Sequence, residues 1–143
     1  FTGKAIKPAV TVKDGKPKLK KDTDYTLSYS CNTDIGIASV IITGKGKYSG
    51  TIKQNFNIIP PKTELTVISS GSSYNLSWKA SKGATGYKIY GSTDGKKFKL
   101  LKTVDADDKK TSLSTKITSN GKKYTFKIKA YTEVYPQTFY SKY

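Results

Sequence analysis

Between Tyr74 and Ala130 apolar side chains recur at every second position. Tyr74, Leu76 and Trp78 alternate with Asn75, Ser77 and Lys79, and Tyr87 and Ile89 follow. Tyr124, Phe126, Ile128 and Ala130 alternate with Thr125, Lys127, Lys129 and Tyr131. Period two puts each apolar set on one face of a strand and its partners on the other. Phe98, Leu100, Leu113 and Ile117 complete the predicted core of this half, while Tyr131 is placed outside. Each large buried side chain contributes roughly 1.5–3 kcal/mol, and Trp78 is the largest of them.

The first half repeats the pattern more weakly. Tyr25, Leu27 and Tyr29, then Ala38, Val40 and Ile42, then Ile52, Phe56 and Ile58 each make one apolar face, with a shorter run at Val10 and Val12. Gly44–Lys47 and Ser49–Gly50 supply turns. Short alternating runs punctuated by Gly, Asn, Asp and Pro about every ten residues predict an all-β chain built as sandwiches. The stretch Gly83–Val104 reads as two strands around the turn Ser92-Thr93-Asp94-Gly95, with Tyr87 and Ile89 in the core and Gly95 at a positive φ.

Pro60-Pro61 is the seam. Neither proline has an N–H to donate to a ladder, so the pair ends a strand and predicts a short, stiff linker. The expected organisation is two tandem β-sandwich domains, residues 1–60 and 61–143. About 60 residues is marginal for an independent domain, so the first is expected to lean on a neighbour. The chain lacks methionine and a leader and opens in a strand-entry motif, which predicts a mature or excised piece missing its first strand.

The second half resembles a fibronectin type III domain. The resemblance rests on Leu76-Ser-Trp78-Lys79, Gly86-Tyr-Lys-Ile-Tyr90 and Tyr124-Thr-Phe-Lys-Ile-Lys-Ala130, and it implies a tyrosine corner at Tyr124, after the turn 118–123. The first half resembles an Ig-like repeat of Gram-positive surface proteins. There the matching words are Thr2-Gly-Lys-Ala-Ile-Lys-Pro8, Asp24-Tyr-Thr-Leu-Ser-Tyr29, Gly36-Ile-Ala-Ser-Val40 and Gly44-Lys-Gly-Lys-Tyr-Ser-Gly50-Thr51. Cys31 stands where such repeats often carry asparagine. Both resemblances imply a multi-domain bacterial protein, extracellular, on the cell surface or secreted, with roles in spacing and adhesion.

Charge adds a constraint. The formal net charge is +16, and all 26 basic residues are lysine. Residues 1–60 hold ten Lys and four Asp, and residues 61–143 hold sixteen Lys and six acids, so both halves are basic. Arginine, the usual bidentate reader of guanine and phosphate, is missing, which argues against specific nucleic-acid binding. The spread fits soluble strand edges and a loose attraction to anionic polymers. Expected partners are a cell-wall polymer, a glycan or a host surface protein, and neighbouring domains of the same chain, without membrane insertion.

Candidate chemistry is thin. Without histidine, imidazole-dependent triads and the usual zinc sites are excluded. The single Cys31 allows no internal disulfide. Asp105, Asp107 and Asp108 lack calcium-loop spacing and precede Lys109 and Lys110, so they read as a solvated loop. Glu64 and Glu133 are not placed as a glycosidase pair. No Lys–Asn isopeptide crosslink is expected, because the first half has no glutamate. The expectation is a non-enzyme without cofactor or metal. The residues with functional promise are tyrosines expected on outward or loop positions, Tyr90, Tyr131, Tyr135, Tyr140 and Tyr143. Such rings suit a platform for a sugar or a protein. The alternative function is a carbohydrate-binding accessory module of a secreted glycan-degrading enzyme.

Overall fold

The computed structural model describes residues 1–107 and 112–143. Among them there is no helix, and ten strands form three antiparallel sheets. The chain divides into two compact units, Phe1–Ile58 and Ile59–Tyr143.

The first unit is one three-stranded meander, β1 (Tyr25–Ser30), β2 (Gly36–Gly44) and β3 (Thr51–Ile58). The register sets Leu27, Ile42 and Ile52 in one row and Tyr29, Val40 and Gln54 in the next, so the apolar alternation does share a face. Tyr25, Ala38, Val40 and Ile58 are buried there. Ile52 is 59% exposed, contrary to its expected core place, because it sits near the end of the edge strand β3. The layer facing this sheet is not a second sheet. Residues 1–24 form no continuous strand: the chain reverses at Gly15, where Leu19 bonds back to Val12, and makes only the isolated bridges Lys13↔Lys18 and Lys21↔Tyr25. Their even-numbered residues Ile6, Pro8, Val10 and Val12 are half-buried. They are pinned by Tyr29, whose hydroxyl donates to the Pro8 carbonyl (2.9 Å), and by Asn32, which exchanges bonds with Ile6. Cys31 is exposed at φ +52°, a left-handed conformation that asparagine and glycine adopt more readily.

The second unit has two sheets. One is β4 (Leu65–Ser70), β5 (Ser73–Lys79) and β8 (Ser112–Thr118) in the order β4-β5-β8. The other is β10 (Gln137–Tyr140), β9 (Thr125–Val134), β6 (Gly86–Ser92) and β7 (Lys99–Asp105) in the order β10-β9-β6-β7. The buried cluster between them is Leu76 and Trp78 from β5, Tyr87 and Ile89 from β6, Ile128 and Ala130 from β9, and Ala84. Trp78 and Tyr87 meet at 5.3 Å between ring centroids. The Tyr87 hydroxyl accepts the Ser81 amide at 2.7 Å, and burial pushes its pKa up. The Trp78 indole N–H is buried with no hydrogen-bond partner among the described residues.

Two expectations are corrected here. Leu100 is 50% exposed and Phe98 half-buried on the outer side. The ladder between β6 and β7 slips, with Ile89 opposite Lys102 and Tyr90 opposite Leu100, so Leu101 is an extra residue. A bulge of this kind reverses the facing of the residues beyond it. The hydroxyl that anchors the turn before β9 belongs to Tyr74 on β5, in place of the corner expected of Tyr124. That hydroxyl accepts the Tyr124 amide at 3.2 Å and reaches the Lys122 carbonyl at 3.4 Å. At the Pro60-Pro61 step, Pro60 is fully buried and the Pro61 carbonyl accepts the Ser81 hydroxyl at 2.7 Å.

Candidate functional site: a lysine and aromatic face

The outer surface of the four-stranded sheet gathers most of the residues of interest. Core residues Tyr87 and Ile89 pair with Ala130 and Ile128, so the intervening positions point away from the core. That puts Lys88 opposite Lys129, Tyr90 opposite Lys127, and Gly86 opposite Tyr131. Strand β10 adds Tyr140 opposite Tyr131, and β7 adds Leu100 opposite Tyr90. Beyond β10, the Ser141 amide donates to the Ala130 carbonyl (2.8 Å) and the Ser141 hydroxyl accepts the Ala130 amide (3.0 Å). This clamp keeps the terminal residues alongside β9.

Three ammonium groups interleave with five rings. Lys88 Nζ donates to the Tyr140 hydroxyl at 2.8 Å and lies 5.1 Å and 5.5 Å from the Tyr140 and Tyr131 centroids. Lys129 Nζ stands 4.0 Å from the Tyr143 centroid. Lys127 Nζ stands 4.1 Å from that of Phe98 and 5.0 Å from that of Tyr143. Tyr90 meets Tyr143 edge-on at 6.1 Å, and Tyr131 meets Tyr140 at the same separation. Each cation over a ring contributes about 0.5–1 kcal/mol at an exposed site.

The titration shifts follow from this packing. The Tyr140 hydroxyl raises the Lys88 pKa above the usual lysine value, overcoming a smaller desolvation effect. Burial, then the negative charges of Glu133 and Asp105, raises that of Tyr131. Burial, then Tyr143, raises that of Tyr90. Among the described residues no carboxylate lies within ion-pair distance of Lys88, Lys127 or Lys129.

The tyrosines singled out from the sequence fare differently. Tyr90 and Tyr140 are half-buried within this face, and Tyr143 is 52% exposed at its rim. Tyr131 belongs to it but is buried, at 7% exposure, contrary to its expected outward display. Its ring folds over Gly86, where an added Cβ would lie 2.5 Å from the Tyr131 hydroxyl. Tyr135 is 98% exposed in the turn between β9 and β10 and stands apart. Sequence reasoning missed Lys88, Lys127, Lys129 and Phe98 as partners of these rings. Alternation already marked the three lysines as outward, but only the register shows which rings they meet.

Elsewhere the chemistry is spare. Among the described residues no group of three His, Cys, Asp or Glu is placed to hold a metal. Asp108, Lys109 and Lys110 of the acidic loop lie outside the described residues. A cleft of about 570 Å³ beside Trp78 and Ser81 is lined by Glu64 together with Lys62, Lys79 and Lys82. The predicted turn at Asp94 is well made. Its carboxylate accepts from the Ser92 hydroxyl and from the Lys96 and Lys97 amides at 2.7–2.8 Å, and Gly95 sits at φ +70°. Among the described residues no helix is long and apolar enough to cross a membrane. The chain matches no family model, no curated protein and no solved structure.

Proposed function

We propose that the chain is a non-catalytic spacer and interaction module of a larger bacterial cell-surface or secreted protein, an Ig-like unit followed by a fibronectin type III-like one. The contact surface is the outer face of the β10-β9-β6-β7 sheet. The domain reading is supported by seven strands in sheets of three and four around a Trp-centred core in the second unit. The observation that carries the functional reading is the set of Lys88, Lys127 and Lys129 held over Tyr140, Tyr143 and Phe98 without an acidic partner among the described residues. Ordered, amphipathic rings interleaved with cations are a costly way to make an inert surface, and a suitable way to make a binding one. A second reading, a carbohydrate-binding accessory of a secreted glycan-degrading enzyme, uses the same face and is favoured by its aromatic content.

Binding to a glycan array and to immobilised bacterial and host surface preparations tests this. Binding is expected to fall on Tyr90→Ala and Tyr143→Ala while Tyr135→Ala leaves it intact. Equal loss with all three, or none with any, refutes the assignment of the face.

A further inference from the structure

We infer that this face takes an acidic polysaccharide, a chain of sugar rings carrying repeated carboxylates, and not a neutral glycan. The inference rests on the proposed role of the face and adds the ligand's chemistry. Lys88 and Lys129 are directly opposite each other on neighbouring strands. Like charges in that relation destabilise a sheet. Lys127 lies two residues from Lys129 on the same side of β9, about 7 Å along the strand. Three ammonium groups therefore share one small patch. Among the described residues none is neutralised by a carboxylate, and their partners are ring faces and one tyrosine hydroxyl. An anion is the missing partner, and a row of cations matches repeated charges better than one compact ion.

The rings point the same way. A neutral sugar or a nucleic-acid base binds by stacking on an open aromatic face. Here Phe98, Tyr131, Tyr140 and Tyr143 each carry an ammonium over the ring. They hold the cations in place instead of offering bare platforms. The edge-on pair Tyr90 and Tyr143 flanks the patch, and tyrosine hydroxyls suit sugar hydroxyls as donors and acceptors. Lysine also lacks the fork with which arginine grips phosphate in two places. The overall charge of +16 draws any polyanion toward the chain, so the test must separate the face from bulk charge.

The test compares two triple variants of the full chain. One is Lys88→Gln, Lys127→Gln and Lys129→Gln. The other removes equal charge at Lys13, Lys16 and Lys18 in the first unit. Probes are polygalacturonate and hyaluronan, neutral amylose and cellulose oligosaccharides, duplex DNA and polyphosphate, with affinity measured by calorimetry at fixed salt. Polyuronate affinity is expected to fall about tenfold or more in the face variant, a modest loss per exposed ion pair. The control variant is expected to stay within about twofold of the parent. Tyr143→Ala, which removes the ring under Lys127 and Lys129 and leaves every charge, is expected to weaken binding as well.

Equal loss in both triple variants overturns the inference in favour of bulk charge. DNA or polyphosphate bound as tightly through the same lysines overturns the choice of polysaccharide. A neutral glycan or a protein bound through this face, with no polyuronate binding, overturns the acidic ligand and leaves the face as a contact surface. No probe or surface preparation sensitive to any face variant overturns both.

Discussion

Gly86→Ala puts the packing of the outer face on trial. Gly86 lies opposite Tyr131, and an alanine Cβ there would sit 2.5 Å from the Tyr131 hydroxyl, 2.6 Å from Cζ and 2.7 Å from Cε1. These distances are far inside van der Waals contact, so the ring must move. It is buried at 7% exposure beside Tyr140 and Lys88 and has little room. Overpacking of this kind costs about 1–3 kcal/mol. The Gly86 backbone is not in the left-handed region, so alanine also restricts the unfolded chain and returns about 0.4–1 kcal/mol. The net expectation is a loss of about 1–2 kcal/mol, which lowers the melting midpoint of a unit this size by roughly 5–15 °C. On a Tyr131→Ala background the clash disappears and only the backbone term remains, so Gly86→Ala should become neutral or mildly stabilising. Urea unfolding followed by the fluorescence of Trp78, the sole tryptophan, reads all four corners of this double-mutant cycle. Equal losses in both backgrounds would show that the Cβ meets something other than Tyr131. No loss in the parent would show that the ring does not cover the glycine.

The remaining predictions probe the corrected core, the corner and the turn. Leu76→Ala should cost about 2–5 kcal/mol, whereas Leu100→Ala by the same unfolding assay, and Ile52→Ala by circular dichroism because Trp78 lies in the other unit, should stay within about 0.5 kcal/mol, both being at least half exposed. Tyr74→Phe removes the acceptor of the Tyr124 amide and should cost about 1–2 kcal/mol, while Tyr124→Phe should change little; the reverse order would show that the Tyr124 hydroxyl anchors the turn. The Asp94 carboxyl should titrate at about 2 by NMR, held down first by the Ser92 hydroxyl and then by the Lys97 and Lys96 amides. Its folded pKa lies below the unfolded value of 3.8, so its contribution is present above pH 3.8 and is lost as pH falls through 2. Ser92→Ala should move the titration upward.

Period two was enough to find the inner faces of β5, β6 and β9, because each of these strands has neighbours on both sides and its alternation is unbroken from Tyr74 to Trp78, Tyr87 to Tyr90 and Tyr124 to Ala130. It failed at Leu100 for a definite reason. The extra residue Leu101 in β7 is a property of pairing with β6, and no local pattern in the segment Phe98–Val104 announces it. It failed at Ile52 because alternation says which face a residue takes, not whether anything covers that face. The first unit shows the same limit. Its residues 1–24 carry an alternation at Ile6, Pro8, Val10 and Val12 that reads as a strand, yet Ile6 bonds to Asn32, Pro8 to the Tyr29 hydroxyl and Val12 to Leu19, with no continuous ladder.

The outer face was legible only as a list of outward residues. What turns that list into a site is register, and the register is fixed by the core. Tyr87 must meet Ala130 and Ile89 must meet Ile128 for the sandwich to fill, and a slip of one residue would turn every one of these side chains outward. The same pairing leaves Lys88 no choice but to face Lys129, and Gly86 to face Tyr131. Ser141, bonded to both backbone groups of Ala130, then determines where Tyr143 lies. Each ammonium is thus held by a ring whose position is itself set by core packing. Side chains ordered before a ligand arrives lose less entropy on binding than free lysines do. On the proposed role of this face, stability and binding are coupled: a substitution beneath it, such as Ala130→Gly in the core, should disturb the spacing of the lysines without touching any of them.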